Sequence, residues 1–175
     1  FMDTQTAQII SYALFAVGFL FRPLGAIIFG YIGDKYGRKK SLIISVSLMG
    51  TASLVMFLLP TYEMIGITSC YIIALVRIIQ GFSVGGEYSG AIIFAVEHTD
   101  NKHAGLAGSI VVSGCMSGVL LSTVVSHVIN NHYLPEGSWR IAFLLGSCLS
   151  LIGYFIRKKI TETPEFNKVY SRKNK

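Results

Sequence analysis

Three ionisable residues interrupt long apolar stretches of the chain, namely Arg22, Arg77 and Glu87. In lipid each such charge costs about 3 kcal/mol, and residues of this kind usually face a cavity or a partner. On a helix that turns about 100° per residue, Gln80, Glu87 and Tyr88 lie within about 80° of Arg77. This polar stripe should therefore face protein or water. Two roles stay open: an Arg22–Glu87 ion pair that locks two helices, or a substrate or proton site that uses at least one of the three charges.

A second candidate is the polar segment from Gly30 to Lys40, which reads GYIGDKYGRKK. Gly33 and Gly37 permit turns and close backbone approach. The acid of the segment, Asp34, stands among four cations: Lys35, Arg38, Lys39 and Lys40. We expect Asp34 to be paired, either with Arg38 or with the N-terminus of a helix. The alternative is a solvated loop that only anchors the topology.

Patterns typical of enzymes and metal sites are weak in this chain. Two ligands on one helical face require a spacing of four, whereas the histidine pairs are five apart, at His98/His103 and His127/His132. Residues 81–85 spell G-x-S-x-G, but a nucleophile elbow needs a strand-to-helix turn, and these residues lie in an apolar stretch. The sequence has no phosphate-binding loop, and its three cysteines lie far apart. We therefore expect no enzymatic activity, no metal and no cofactor.

The elements that carry these residues are apolar stretches long enough to cross a membrane. Apolar residues make up 52% of the 175 residues and charged residues 14%, against about a quarter charged in soluble domains. Since about 20 apolar residues span the hydrocarbon core, we predict an all-α membrane protein with the lipid bilayer as its surroundings. The predicted helices cover residues 9–33, 41–59, 70–95, 104–128 and 139–156. They form one bundle over residues 1–156, followed by a basic cytoplasmic tail over residues 157–175.

The net charge of +6 reports topology and not a nucleic-acid partner. Lysine and arginine concentrate in residues 35–40, at Lys102 and in residues 157–175, whereas the alternate loops at residues 62–68 and 130–138 contain none. An excess of basic residues marks cytoplasmic loops. We therefore predict a multi-pass protein whose basic loops and C-terminus are cytoplasmic.

The segment from Gly30 to Lys40 resembles the signature loop between helices 2 and 3 of the major facilitator superfamily. The residues that fall on its specified positions are Gly30, Asp34, Lys35, Gly37, Arg38, Lys39 and Lys40. The resemblance implies that the five helices match helices 2–6 of a twelve-helix fold. It also implies a conformational latch, in which the loop acid meets a helix of the other half and the loop arginine pairs with an acid at the end of helix 4. Here these roles fall to Asp34, Arg38 and Glu97.

Four further segments look like the metabolite:proton symporter branch of that superfamily, which includes proline/betaine transporters. They are residues 22–25, 77–90, 138–146 and 162–166. The resemblance implies a secondary active transporter of a cell (inner) membrane, in which a proton gradient drives uptake of a small polar solute such as proline, betaine or an organic acid. In that branch the helix 4 arginine is implicated in proton coupling, a role that falls to Arg77.

The same resemblance implies that the chain starts one helix late and represents about half of a transporter. A C-terminal half-transporter is then an expected partner. The competing interpretation is a truncated membrane protein that does not transport, or that serves only as an interaction subunit. A downstream reading frame that encodes six further helices would favour a split gene.

Overall fold

The computed structural model describes residues 4–100, 102–129, 137–166 and 168, which form helices and connecting turns without any strand. In chain order the helices are α1 (Thr4–Tyr36), α2 (Arg38–Leu58), α3 (Tyr62–Ile65), α4 (Thr68–Glu97), α5 (Ala104–Ile129) and α6 (Trp139–Lys159). All but α3 are long and apolar enough to cross a membrane. The prediction of an all-α protein with five spanning helices is therefore confirmed.

The helix ends differ from the predicted bounds by a few residues. The first helix runs past Gly33 to Tyr36 and stops at Gly37, whose φ of 111° lies in the left-handed region that glycine tolerates. The last helix continues past residue 156 to Lys159, so the first residues of the predicted tail belong to the bundle. The short helix α3 follows Pro60 and was not predicted, because one turn is too short to show a helical period.

Glycines allow α1 and α4 to cross with their backbones in direct contact. A Cβ atom on Gly81 would overlap the carbonyl group of Gly18, and one on Gly85 would overlap that of Arg22. The spacing of Gly81 and Gly85 is the small-xxx-small pattern that allows close helix approach. This crossing fixes the depth of Arg22 on α1 relative to the polar face of α4.

Helices α2 and α4 are the most connected of the described bundle: α2 packs against α1, α4 and α6, and α4 packs against α1, α2 and α5. A small core of Ala52, Met56, Leu59 and Val76 fills the space between α2 and α4. Most large apolar side chains are exposed instead, and no residue in the most apolar part of α5 or of α6 is buried. An apolar outer surface fits lipid as the surrounding solvent.

Candidate functional site

A polar cavity of about 120 Å³ lies among α1, α2 and α4. Its polar lining consists of Arg22, Arg77 and Gln80, and its other lining residues are Phe15, Gly18, Phe19, Met49, Gly81 and Val84. Arg77 donates a hydrogen bond from Nη1 to Oε1 of Gln80 at 3.2 Å. The guanidinium of Arg22 lies over the ring of Phe19, 3.8 Å from the ring centroid. The structure thus brings three of the predicted site residues together.

The charges of this cavity are unbalanced. Two guanidinium groups line it, and none of its lining residues is acidic. The Nε atom of Arg22 is buried and has no hydrogen-bond partner among the described residues. Burying a polar donor without a partner is costly, and a guanidinium forms its strongest hydrogen bonds with carboxylates and phosphates. The cavity is therefore suited to a small anionic group.

Two other residues of the predicted stripe, Glu87 and Tyr88, do not line this cavity. The Arg22–Glu87 ion pair, one of the two alternatives that the sequence left open, is not formed: the carboxylate of Glu87 pairs with Arg157 of α6 and lies 2.8 Å from the hydroxyl of Ser45 on α2. Tyr88 is 44% exposed. The reason is the distance along the helix, since ten residues place Glu87 about 15 Å along the axis from Arg77.

Three of the predicted latch residues, Asp34, Arg38 and Glu97, meet where α1 and α4 end and α2 begins. Arg38 Nη2 lies 2.7 Å from Asp34 Oδ1, and Arg38 Nε lies 3.6 Å from Glu97 Oε1. Asp34 is 68% exposed, whereas the Arg38 and Glu97 side chains are each 19% exposed. Gly33 packs against the Arg38 side chain, while a Cβ atom on Gly30 would meet nothing described within 4 Å. The sequence left two partners open for Asp34, Arg38 or a helix N-terminus, and in the structure Asp34 pairs with Arg38.

The N-terminus of α2 is occupied by a different acid, Glu162, which follows α6. Its carboxylate accepts hydrogen bonds from the backbone N–H of Lys39, at 3.0 and 3.2 Å, and from that of Thr163 at 3.1 Å. A carboxylate is stabilised by the partial positive charge of a helix N-terminus. Gly37 makes this approach possible, because a Cβ atom there would overlap the Glu162 carboxylate.

Glu162 and Arg157 are the residues that sequence reasoning missed at this end of the bundle. Glu162 lay in a segment that the resemblance marked without giving it a role, and Arg157 was assigned to the tail. Lys39 adds a further link, since its Nζ donates to the backbone carbonyl of Lys158 at 2.9 Å. The start of α2 is therefore tied to the end of α6 by backbone and side-chain contacts.

Comparison with protein families gives one clear match. The model of a family described as "Sugar (and other) transporter" matches residues 2–175. The chain is 39% identical over 168 residues to the glycine betaine/proline/ectoine/pipecolic acid transporter OusA of Dickeya dadantii, and 38% identical over 168 residues to the proline/betaine transporter of Salmonella typhimurium. Each match covers 94% of this chain and 34% of the relative. The chain thus spans about a third of the length of these curated relatives.

Solved structures give the fold independently. The double Trp mutant of XylE matches with a TM-score of 0.83 at 18% identity, over 94% of this chain and 38% of that one. The proton:xylose symporter XylE bound to 6-bromo-6-deoxy-D-glucose matches with a TM-score of 0.81 at 17% identity, over the same shares of the two chains. At this identity the likeness shows the fold alone, and it confirms the predicted major facilitator fold.

Proposed function

This chain belongs to the sugar (and other) transporter family of the major facilitator superfamily, and from that premise we propose that it is part of a proton-coupled secondary transporter. The solute is small, polar and carries a carboxylate, as proline and betaine do. The membrane is the cell (inner) membrane, and the basic loops and the C-terminus face the cytoplasm. The mechanism is alternating access, in which two halves expose a midplane site to one side at a time.

The observation that carries this proposal is the pair of guanidinium groups, Arg22 and Arg77, in one intramembrane cavity. A carboxylate there would accept charge-assisted hydrogen bonds and supply the partner that the buried Nε of Arg22 lacks among the described residues. A solute without an anionic group, such as a sugar, would leave both guanidinium groups without an anion. Proline/betaine transporters are among the chain's relatives at 38–39% identity, which supports a zwitterionic solute over a sugar.

In this proposal, Gln80 positions Arg77, since the two side chains are hydrogen-bonded. Arg77 is also our candidate for proton coupling, together with the acid Glu87, which lies ten residues further along α4. Tyr88 follows Glu87 on the same helix, and its exposure leaves it free to contact another segment or the solute. We assign no cofactor and no metal to this site.

The latch role is a separate part of the proposal. Asp34, Arg38 and Glu97 join the ends of α1 and α4 to the start of α2, and Lys39 joins that start to the end of α6. Gly33 and Gly37 allow the close approaches of Arg38 and Glu162, whereas Gly30 is included on the resemblance alone. We propose that these contacts form in one orientation of the transporter and open in the other. Asp34, the exposed acid, is the member that would contact the second half.

Uptake into proteoliposomes tests the function directly. The chain is reconstituted alone and together with a C-terminal half-transporter, and uptake of radiolabelled proline or betaine is measured with and without an imposed proton gradient. We expect accumulation only with the gradient and only when the second half is present. Correct insertion without uptake in either preparation would favour the alternative, a membrane protein that does not transport.

A further inference from the structure

An ion cluster outside the polar cavity joins three helices, α2, α4 and α6. Glu87 of α4 pairs through Oε1 with Nη2 of Arg157 on α6. Its Oε2 atom lies 2.8 Å from the hydroxyl of Ser45 on α2, a residue that is 1% exposed. Arg157 also donates from Nη1 to the backbone carbonyl of Leu42 at 2.9 Å. Both oxygens of Glu87 and both terminal nitrogens of Arg157 therefore have partners.

The position of Glu87 sets it apart from the other acids of the chain. The sequence has nine acidic residues, and the structure describes seven of them. The other six described acids lie in loops, in short helical turns or at the ends of long helices. Glu87 lies ten residues before the end of α4, which is about 15 Å along the helix axis. Among the described residues, it is thus the one carboxylate that lies deep within a spanning helix. Ionisable groups at such depth are often parts of ion or proton pathways.

The cluster also links α4 to α6. Helix α6 packs extensively on α2, whereas its backbone hardly approaches α4. The Arg157 side chain reaches from the last turn of α6 past α2 to Glu87. A change in the charge of Glu87 would therefore act directly on the contact between α4 and α6.

We propose that Glu87 binds the coupled proton, and that its protonation releases Arg157 and with it the cytoplasmic end of α6 from α4. The proposal rests on the proposed function for the coupling. A proton from water on one side of the membrane adds to the Glu87 carboxylate and gives a neutral acid, which no longer pairs with the guanidinium. Arg157 keeps its own protons and its bond to the Leu42 carbonyl. Loss of the proton to the other side restores the ion pair.

The groups around Glu87 fit this exchange. Arg157 faces it from α6, and the Ser45 hydroxyl, which can donate to a carboxylate or accept from a carboxylic acid, faces it from α2. On α1 the ring of Phe29 packs on the neighbouring Gly86, while the guanidinium of Arg22 lies over Phe19 and lines the polar cavity. Helix α5 contains no Asp, Glu, Lys or Arg, and its one histidine, His127, lies in its last turn. Arg157 is therefore the counter-charge of Glu87.

A distance measurement tests the release without requiring transport. The three native cysteines are replaced by serine, and spin labels are attached at H98C and I160C, the residues that end α4 and α6. We expect the label separation to change by about 2 Å or more as the pH falls from about 8 to about 3, a range that includes the reference pKa of a glutamate. The Glu87→Gln variant should show the low-pH separation at every pH, whereas Glu87→Asp should keep the pH response. The control Glu165→Gln, which removes an exposed acid paired with Lys168, should behave as the wild type.

Two results would overturn the proposal: a wild-type separation that does not depend on pH, or a pH response that persists in Glu87→Gln. Uptake is the second readout. The Glu87→Gln variant should still exchange solute across the membrane, but its gradient-driven accumulation should be at least tenfold lower than that of the wild type. If the label separation responds to pH but no uptake is found, the release of Arg157 from Glu87 stands and the proposed function is refuted. The two failures are therefore distinguishable.

Discussion

The Nε atom of Arg38 lies 3.6 Å from the Oε1 atom of Glu97, so the first residue of α2 contacts the last residue of α4. The same guanidinium holds Asp34, in the last turn of α1, at 2.7 Å. Arg38 therefore joins three helix ends. Because one guanidinium serves two carboxylates, the loss of either acid changes the charge balance at the other. The contributions of the two acids are therefore coupled, and a double-mutant cycle measures that coupling.

Replacement of Asp34 by Asn should impair transport and leave membrane insertion intact. Asn keeps the size of the side chain but removes the charge that pairs with Arg38. Because Asp34 is largely exposed, the loss of stability should be only about 0–1 kcal/mol. Solute uptake and the amount of inserted protein are measured together, with Glu165→Gln as the control for loss of an exposed acid at the same end. Wild-type uptake by the Asp34→Asn protein would remove the latch assignment.

Replacement of Glu162 by Ala should destabilise the bundle. The substitution leaves the backbone N–H of Lys39 without its carboxylate acceptor at the start of α2. Loss of a helix cap typically costs about 1 kcal/mol, which a denaturant titration in detergent can resolve. Glu165→Ala, three residues further on, is the matched control, since its exposed carboxylate pairs with Lys168. Equal stability of the two variants would show that the Glu162 contact contributes nothing to the fold.

Replacement of Gly81 by Ala should separate α1 from α4. The new Cβ atom would overlap the backbone of Gly18, and overpacking of this kind costs about 1–3 kcal/mol. Gly114→Ala is the control, because a Cβ atom there meets nothing described within 4 Å, and Ala favours a helix over Gly by about 0.5–1 kcal/mol. The free energies of unfolding should therefore change in opposite directions. A Gly81→Ala protein as stable as the wild type would contradict the close crossing.

The five long helices could be predicted from the sequence because hydropathy determines which segments enter lipid. Hydropathy does not determine where a helix stops. Thus α6 extends through Arg157, Lys158 and Lys159, residues that composition assigns to a tail. The glycine at position 37 was singled out for its backbone freedom, and its φ of 111° agrees with that role.

The site could be predicted only in part, because helical periodicity describes one helix at a time. It brings Arg77 and Gln80 to one face, three residues apart. It does not determine which neighbouring helix faces Glu87, a question that depends on how α2 and α6 pack. The partner of Glu87 is 70 residues away in the sequence, and the residue that occupies the start of α2 is 123 residues from Lys39. Such contacts are set by tertiary packing.

Replacement of Arg22 or Arg77 by Gln should weaken binding of the proposed carboxylate. A hydrogen bond to a charged group contributes about 1.5–3 kcal/mol, so the KM for proline uptake should rise about 10–100-fold in each variant. Prolinamide, which lacks the carboxylate, should be affected much less. This difference separates loss of an anion partner from general damage to the cavity.

The matched control for these variants is Arg140→Gln. Arg140 lies in the first turn of α6, where it donates to the backbone carbonyl of Leu59, and it does not line the cavity. Its loss should lower stability without changing the ratio of the proline and prolinamide KM values. An unchanged ratio in Arg22→Gln and Arg77→Gln would show that the two guanidinium groups do not recognise a carboxylate, because a site built on charge must distinguish an acid from its neutral amide.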